Sequence, residues 1–146
     1  MRLKRYAAIF VGICVTCMSL SACSDSALSL RVGQCFTASD EVLLLREEIT
    51  DVAPVPCTKE HNSEVVGVKV LAGGKYPGRD VLAEKTTDFC TKTFRTYVGI
   101  DFQDSQYDMY PLTPSEHSWN KAHDRLVSCI ALSIPPHSKS IKNAKE

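Results

Sequence analysis

Seven cysteines are the feature of this 146-residue chain that most limits how it can fold. Three lie within or directly after an apolar N-terminal stretch: Cys14, Cys17 and Cys23. The other four are spread through the remaining chain: Cys35, Cys57, Cys90 and Cys129. An even number of cysteines indicates a disulfide framework in an exported protein, whereas in a cytosolic protein it more often indicates metal binding or catalysis. The interpretation of the cysteines therefore depends on where the chain is sent.

The first 22 residues have the layout of an export signal. Three cations lie within the first five positions, an apolar run covers residues 7–20, and the small residues Ser21 and Ala22 follow. This run is shorter than the ~20 apolar residues that a membrane-spanning helix needs. We therefore expect residues 1–22 to be a removable signal peptide, which takes the first two cysteines with it.

The end of this segment, Leu20-Ser21-Ala22-Cys23, resembles the lipobox of bacterial lipoproteins. By that resemblance the Cys23 thiol receives a diacylglyceryl group, the signal is cut before it, and the new amino terminus is acylated, for example with palmitate. Two or three acyl chains hold a protein durably on a membrane. We expect a protein anchored by lipid to the cell membrane and facing outside the cytoplasm, with residues 23–29 as the lipidated tether.

The charge balance argues against binding to nucleic acid. The full chain carries 17 basic and 17 acidic side chains, and loss of the three cations in the signal leaves 14 against 17. Such a chain has no excess of Lys and Arg with which to displace counterions from phosphates.

The four remaining cysteines predict two disulfides in an oxidising compartment. Four cysteines allow three connectivities. We favour Cys35–Cys57, which flank one N-terminal segment, and Cys90–Cys129, which would join a predicted helix to the last predicted strand.

Metal binding is the alternative interpretation of the cysteines. Cys57 and His61 are four residues apart, with His117 and His123 further along. Zinc sites usually show two closely spaced ligand pairs, and here only one half of such a pattern is present. We therefore expect no metal and no other cofactor.

The spacing of apolar residues predicts a small α+β domain over residues 30–135. Glu64 to Leu71 has the strongest strand signal, and Arg79 to Tyr97 is apolar at helical spacing, with Cys90 on the apolar face. Further elements are a short strand within 30–36, an edge strand at best within 49–57, a turn over 58–63, a strand over 107–112, a helical turn over 114–119 capped by Ser115, and a strand over 126–134 that Pro135 and Pro136 end.

This order predicts a mostly antiparallel sheet with one main amphipathic helix packed on one face. Residues 37–48 are compatible with a helical turn or an irregular insertion. The lysine-rich stretch 136–146 has no periodic apolar face, so we expect a flexible C-terminal tail.

A set of short motifs resembles the septum-formation domain of actinobacterial envelope proteins. Over residues 30–133 they are Leu30-Arg-Val-Gly-Gln-Cys-Phe36, Val55-Pro-Cys-Thr-Lys-Glu-His61 with Glu64-Val65, Tyr76-Pro-Gly78, the helix bearing Cys90, Tyr97-Val98-Gly99, and Pro114-Ser-Glu-His-Ser-Trp119 leading through Asp124-Arg125 to Cys129. The resemblance implies a membrane-tethered module outside the cytoplasm with a role in septum formation and cell division. Two features depart from it: Ala122-His123 replaces the glycine that usually precedes the Asp-Arg pair, and residues 41–46 have no counterpart.

The chain shows no motif of a known catalytic site. There is no G-x-S-x-G elbow for a serine nucleophile, and nothing in the spacing of Glu60, Glu64 and Glu116 sets the distance that a carboxylate pair for glycan cleavage requires. We expect no enzyme but a binding or structural module of the envelope. A cell-wall hydrolase, or a regulator of one, is the alternative, with His61 and Glu64 as the residues to test.

Two groups of residues are candidates for recognition of a partner. Glu60, His61 and Asn62 would form a turn that binds an envelope or division protein, although His61 is more often found bonding the backbone of such a turn. Trp119, beside Tyr110 and Tyr76, could stack on the sugars of a cell-wall glycan, although a lone tryptophan more often packs in a core.

Overall fold

The structure is a computed structural model that describes residues 25–26, 29–39 and 51–146. In chain order its elements are β1 (Asp25–Ser26), β2 (Cys35–Phe36), β3 (Asp51–Val52), β4 (Pro54–Val55), β5 (His61–Val70), α1 (Arg79–Val98), a 3-10 turn (Phe102–Asp104), β6 (Asp108–Leu112), α2 (Glu116–Lys121) and β7 (Leu126–His137). Residues 1–24, 27–28 and 40–50 lie outside the described residues, and so do the predicted signal peptide and the predicted lipidation site Cys23. No helix among the described residues is long and apolar enough to span a membrane.

A five-stranded antiparallel sheet in the order β4-β2-β5-β7-β6 forms the centre of the fold. Its two longest strands, β5 and β7, are neighbours; β5 includes the predicted strand 64–71 except its last residue, and β7 includes all of the predicted strand 126–134. The predicted α+β fold with one main helix is confirmed. A separate pair, β1 with β3, lies within the segments expected as tether and edge strand.

Strand β7 continues through Pro135 and Pro136, so the prediction that these prolines end it was wrong. Strand β6 pairs with β7 only as far as Leu132. Beyond that residue β7 has a described neighbour on one side only, and His137 still pairs with His61 of β5. Proline has no N–H to donate to a neighbouring strand. It is tolerated here because no described strand pairs with this side of β7 beyond Leu132.

Helix α1 covers the predicted segment and ends one residue after it, at Val98. Gly99 stops it in the left-handed conformation, with φ of 91°, and its N–H bonds the Arg95 carbonyl. The helix approaches the sheet closely at Gly67 of β5, where an added Cβ would lie 2.1 Å from Cγ2 of Thr93. Glycine at this position therefore allows the helix to lie against the central strand.

Apolar side chains cover both faces of the sheet. The cluster between α1 and the sheet consists of Val66, Cys90, Phe94, Tyr97, Val98, Tyr107, Val127, Cys129, Ala131 and Ile141. The cluster on the opposite face consists of Leu30, Phe36, Ala38, Val52, Val65 and Ile130. Burial of these residues supplies the main driving force for folding.

The segment after β7 packs against the domain, in contrast to the flexible tail expected from the sequence. Ile141 is 1% exposed and belongs to the cluster beneath α1. The amides of Asn143 and Lys145 donate hydrogen bonds of 2.8 and 3.0 Å to the carbonyls of Tyr97 and Val98. One buried side chain and two bonds to the free carbonyls at the helix end thus hold a segment that has no periodic pattern.

Helix α2 begins after Ser115, as predicted from the cap residue. The Ser115 hydroxyl accepts a 3.0 Å bond from the Ser118 amide, and the Ser118 hydroxyl accepts one from the Ser115 amide. This reciprocal cap satisfies two amides that the helix itself leaves free. The predicted helical turn over 114–119 is therefore confirmed, shifted by two residues to Glu116–Lys121.

Candidate functional site

Both predicted disulfides form, Cys35–Cys57 and Cys90–Cys129. The second joins α1 to β7, and both of its residues are 0% exposed. The first joins β2 to the turn before β5, where Cys57 is half-buried. One disulfide thus lies inside the core and the other reaches the surface.

Glu64 lies on β5 directly opposite Cys35 of β2, and it is only 1% exposed. Its Oε1 accepts 2.6 Å bonds from the hydroxyls of Tyr97 and Ser140. Its Oε2 accepts a 2.9 Å bond from the Ile141 amide. A buried carboxylate is costly unless it is hydrogen-bonded, and here three donors from the helix and the C-terminal segment meet that need.

His61 is fully buried at the start of β5, whereas the sequence predicted it in a turn; the turn itself covers residues 57–59. Its Nδ1 lies 2.7 Å from the Lys59 carbonyl oxygen. Because a carbonyl only accepts, Nδ1 carries the hydrogen and Nε2 of the neutral ring holds a lone pair. This Nε2 is buried and has no hydrogen-bond partner among the described residues.

The ring of His137 lies beside that of His61, with centroids 4.5 Å apart. Burial is the main cause that lowers the pKa of His137, and the neighbouring His61 lowers it further. Two imidazoles from paired strands thus pack against each other, and His61 also lies close to the buried carboxylate of Glu64.

Four residues bring ligand-type atoms together at this place. One atom each from Cys35, Cys57, His61 and Glu64 lies within 4.8 Å of the others, and we call this group the β2–β5 cluster. The sequence predicts Cys35 as the partner of Cys57 and places Cys57 near His61 by their spacing, but nothing in it places Glu64 beside them. The exposed His117 and His123, which the sequence suggests as further ligands, do not belong to the cluster.

Two tyrosines that contact Glu64 or His137 have raised pKa values. Burial, together with the hydrogen bond to Glu64, raises the pKa of Tyr97 well above its usual range. Burial, together with the bond to Glu146, raises the pKa of Tyr107 to about 12. Both hydroxyls therefore stay protonated and act as donors.

The structure places the candidate recognition residues mostly in the interior. Asn62 is buried and bonds both backbone groups of Ala38 at 2.8 Å, so among Glu60, His61 and Asn62 only Glu60 is exposed. A recognition role for these residues stays a prediction, and in this conformation only Glu60 presents its side chain to a partner.

Trp119 is 4% exposed. Its Nε1 donates a 2.9 Å bond to the Gly74 carbonyl, and the Arg125 guanidinium lies 3.7 Å from its ring centroid. Tyr76 contacts its edge at a centroid distance of 5.8 Å, whereas Tyr110 packs against the apolar cluster that contains Phe36 and Ile130. Stacking of Trp119 on a sugar stays a prediction that would require Arg125 to move away from the ring.

The comparison with known families identifies the domain. A family described as septum formation matches residues 32–145, which is more than three quarters of the chain. The chain belongs to the septum-formation family. The match includes all four disulfide cysteines and the C-terminal segment, so that segment is part of the septum-formation domain. Membership indicates a role in septum formation during cell division. No curated protein and no solved structure matches the chain.

Proposed function

We propose that this septum-formation domain is held by lipid on the outer face of the cytoplasmic membrane and takes part in septum assembly by binding an envelope or division protein. The observation that carries the proposal is the family match over residues 32–145 of a chain whose four domain cysteines form two disulfides. The lipid anchor rests on the lipobox-like sequence ending at Cys23.

The disulfides support a location outside the cytoplasm. Such bonds persist in oxidising compartments and are reduced in most cytosols. Each closes a large loop, with sequence separations of 22 and 39 residues, for which the chain-entropy model gives about 3–4 kcal/mol of stabilisation. A domain of this size depends strongly on contributions of that magnitude.

The position of strand β1 supports a domain that lies close to the lipid surface. Strand β1 begins at Asp25, two residues after Cys23, and pairs with β3. Two residues span at most about 7 Å. An acylated Cys23 would therefore hold the β1–β3 pair close to the membrane.

The burial of polar side chains supports a binding role over hydrolysis. His61 and Glu64, which the hydrolase alternative would use, are 0% and 1% exposed and do not reach a substrate in this conformation. The other two candidate carboxylates, Glu60 and Glu116, are exposed. The buried pair stabilises the domain, since Glu64 bonds the helix and the C-terminal segment.

The position of a tagged copy in dividing cells tests this proposal. We expect the wild-type protein to concentrate at the division site and a Cys23→Ser copy to remain an unlipidated, uncleaved precursor that does not. Lys142→Ala, a change on the exposed surface of the domain, serves as the control that keeps both lipidation and fold. An even distribution of the wild-type protein around the membrane would remove the septal part, and normal processing of Cys23→Ser would remove the lipid anchor.

A further inference from the structure

The β2–β5 cluster consists of Cys35, Cys57, His61 and Glu64. The disulfide uses only the two cysteines, and the histidine and the glutamate are additional residues of the kind that bind metal ions. One atom from each of the four lies within 4.8 Å of the others. Thiolate, imidazole and carboxylate are the three ligand types that proteins use for zinc. The cluster therefore has the composition of a metal site whose two sulfurs are at present bonded to each other.

The fold, and not chance proximity, brings these residues together. Cys35 and Glu64 are register partners on the paired strands β2 and β5. Cys57 begins the turn that leads into β5, and the turn returns the chain so that His61 lies three residues before Glu64 on the same strand. The backbone of two paired strands and one turn thus places all four side chains close together.

His61 has the orientation of a metal-binding histidine. Its Nδ1 donates to the Lys59 carbonyl at 2.7 Å, which fixes the ring and leaves the lone pair on Nε2. Ligating histidines typically make such a bond with their other nitrogen. The Nε2 atom is fully buried without a hydrogen-bond partner among the described residues, an arrangement that is costly in a folded protein and that a cation would satisfy.

Glu64 retains a free position for a cation. Its Oε1 accepts two hydrogen bonds, from Tyr97 and Ser140, whereas within the described part of the chain Oε2 accepts one, from the Ile141 amide. A carboxylate oxygen can accept two. The three donors fix the carboxylate and leave one lone pair of Oε2 for a metal.

We propose that reduction of the Cys35–Cys57 disulfide converts this cluster into a site for one divalent cation of the zinc type, bound by the two sulfurs, Nε2 of His61 and a carboxylate oxygen of Glu64. A dithiol reductant supplies two electrons and two protons, which open the disulfide to two thiols while the reductant becomes a disulfide. Binding of the cation then releases both thiol protons. Thiolate and imidazole ligands favour zinc over magnesium and calcium, which prefer oxygen.

The distances allow this site after a small rearrangement. Zinc bonds of about 2.3 Å to sulfur and 2.0 Å to nitrogen place tetrahedral ligands roughly 3.5–4 Å apart. The atoms of the cluster lie within 4.8 Å of one another, so shifts of about 1 Å, with separation of the two sulfurs, are sufficient.

The two disulfides differ in their access to a reductant. Cys57 is half-buried at the surface turn, whereas Cys90 and Cys129 are 0% exposed in the core. A dithiol therefore reaches Cys35–Cys57 first and leaves the staple between α1 and β7 in place. The redox conditions around the domain would then decide whether the β2–β5 cluster holds a disulfide or a cation.

A titration of the full, detergent-purified chain with Co²⁺ tests this inference, since cobalt thiolates absorb where the free cation does not. After reduction by a dithiol and its removal under argon, we expect one equivalent of Co²⁺ to bind with thiolate-to-cobalt charge-transfer absorption. Zn²⁺ should displace it. The unreduced protein should bind Co²⁺ at least a hundredfold more weakly, because its sulfurs are bonded to each other.

Matched variants assign the site. Cys35→Ser with Cys57→Ser should abolish the charge-transfer absorption, whereas Cys90→Ser with Cys129→Ser should retain it, and His61→Gln should weaken binding at least tenfold. Equal binding by the unreduced chain, or retention of the absorption in the Cys35/Cys57 variant, would overturn the inference. If the reduced chain loses its circular dichroism signal, recovery on addition of Zn²⁺ supports the site and failure to recover refutes it.

Discussion

The Tyr97 hydroxyl donates a 2.6 Å hydrogen bond to Oε1 of Glu64 and so connects the last turn of α1 to the central strand β5. Ser140 bonds the same oxygen and the Ile141 amide bonds the other one. A single buried carboxylate thus holds the helix, the sheet and the C-terminal segment together. We call Glu64 and its three donors the polar centre of the domain.

Removal of the Tyr97 hydroxyl tests how much this bond contributes. Tyr97→Phe deletes one of three donors to a buried carboxylate, and hydrogen bonds to charged groups contribute about 1.5–3 kcal/mol. We expect urea denaturation to show a loss of that size in the free energy of unfolding. Tyr110→Phe is the control, because the Tyr110 hydroxyl has no hydrogen-bond partner among the described residues and its loss should cost less than about 0.5 kcal/mol. Equal losses in the two variants would show that the hydrogen bond from Tyr97 to Glu64 does not stabilise the domain.

The elements with a local signal could be predicted from the sequence. The helical spacing of apolar residues and the exit at Gly99 place α1 correctly to within one residue. Ser115 marks the start of α2. The preferred cysteine pairing was also correct, since Cys90 lies on the apolar face of α1 and therefore meets the strand that carries Cys129.

The polar centre could not be predicted, because its parts are distant in sequence. Glu64 and Ile141 are separated by 77 positions, and the burial of Glu64 depends on the segment that covers it. Nothing local distinguishes Glu64 from a solvated glutamate of a strand. The C-terminal segment was misjudged for the same reason, because its one buried side chain, Ile141, forms no pattern.

The turn before β7 contains Ala122-His123, where the family usually has a glycine. His123 has φ of 53°, a left-handed conformation that favours glycine, at the place where the resemblance leads one to expect a glycine. The turn geometry therefore accommodates a residue with a side chain. The neighbouring Asp124 supports it, since Oδ2 accepts from the Ser118 hydroxyl and Oδ1 from the Leu126 amide.

Close contact between α1 and β5 predicts a large effect at Gly67. In Gly67→Ala the new Cβ would lie 2.1 Å from Cγ2 of Thr93, so the helix has to shift, and we expect a loss of about 1–3 kcal/mol in urea denaturation. Thr93→Ala in the same chain removes that methyl group and should recover part of the loss. Gly73→Ala is the control, because nothing lies within 4 Å of the added atom. A Gly67→Ala protein as stable as the Gly73→Ala protein would contradict the packing described.

Packing of the C-terminal segment depends on Ile141. Ile141→Ala leaves a cavity in the cluster beneath α1, and such truncations cost about 2–5 kcal/mol. Lys142→Ala changes the exposed neighbour and should cost less than about 0.5 kcal/mol. If thermal denaturation showed similar midpoints for both variants, the segment would not be part of the folded core.

We expect attachment of the C-terminal segment to depend on pH through Glu146. Its carboxylate accepts hydrogen bonds from Lys139 and Tyr107, which lower its pKa below the ordinary value of 4.5. Because the folded state binds this proton less tightly than the unfolded state, the stabilisation is complete above about pH 4.5 and is lost as the pH falls through the folded pKa. We expect the protection factor of the Lys145 amide, which bonds Val98 and whose exchange is corrected for the intrinsic pH dependence, to fall over that range in the wild-type protein. Glu146→Gln should show faster exchange already at neutral pH and should lose that part of the pH dependence. The same pH dependence in both proteins would mean that another acid controls the attachment, and added salt should weaken the wild-type effect because the pair with Lys139 is exposed.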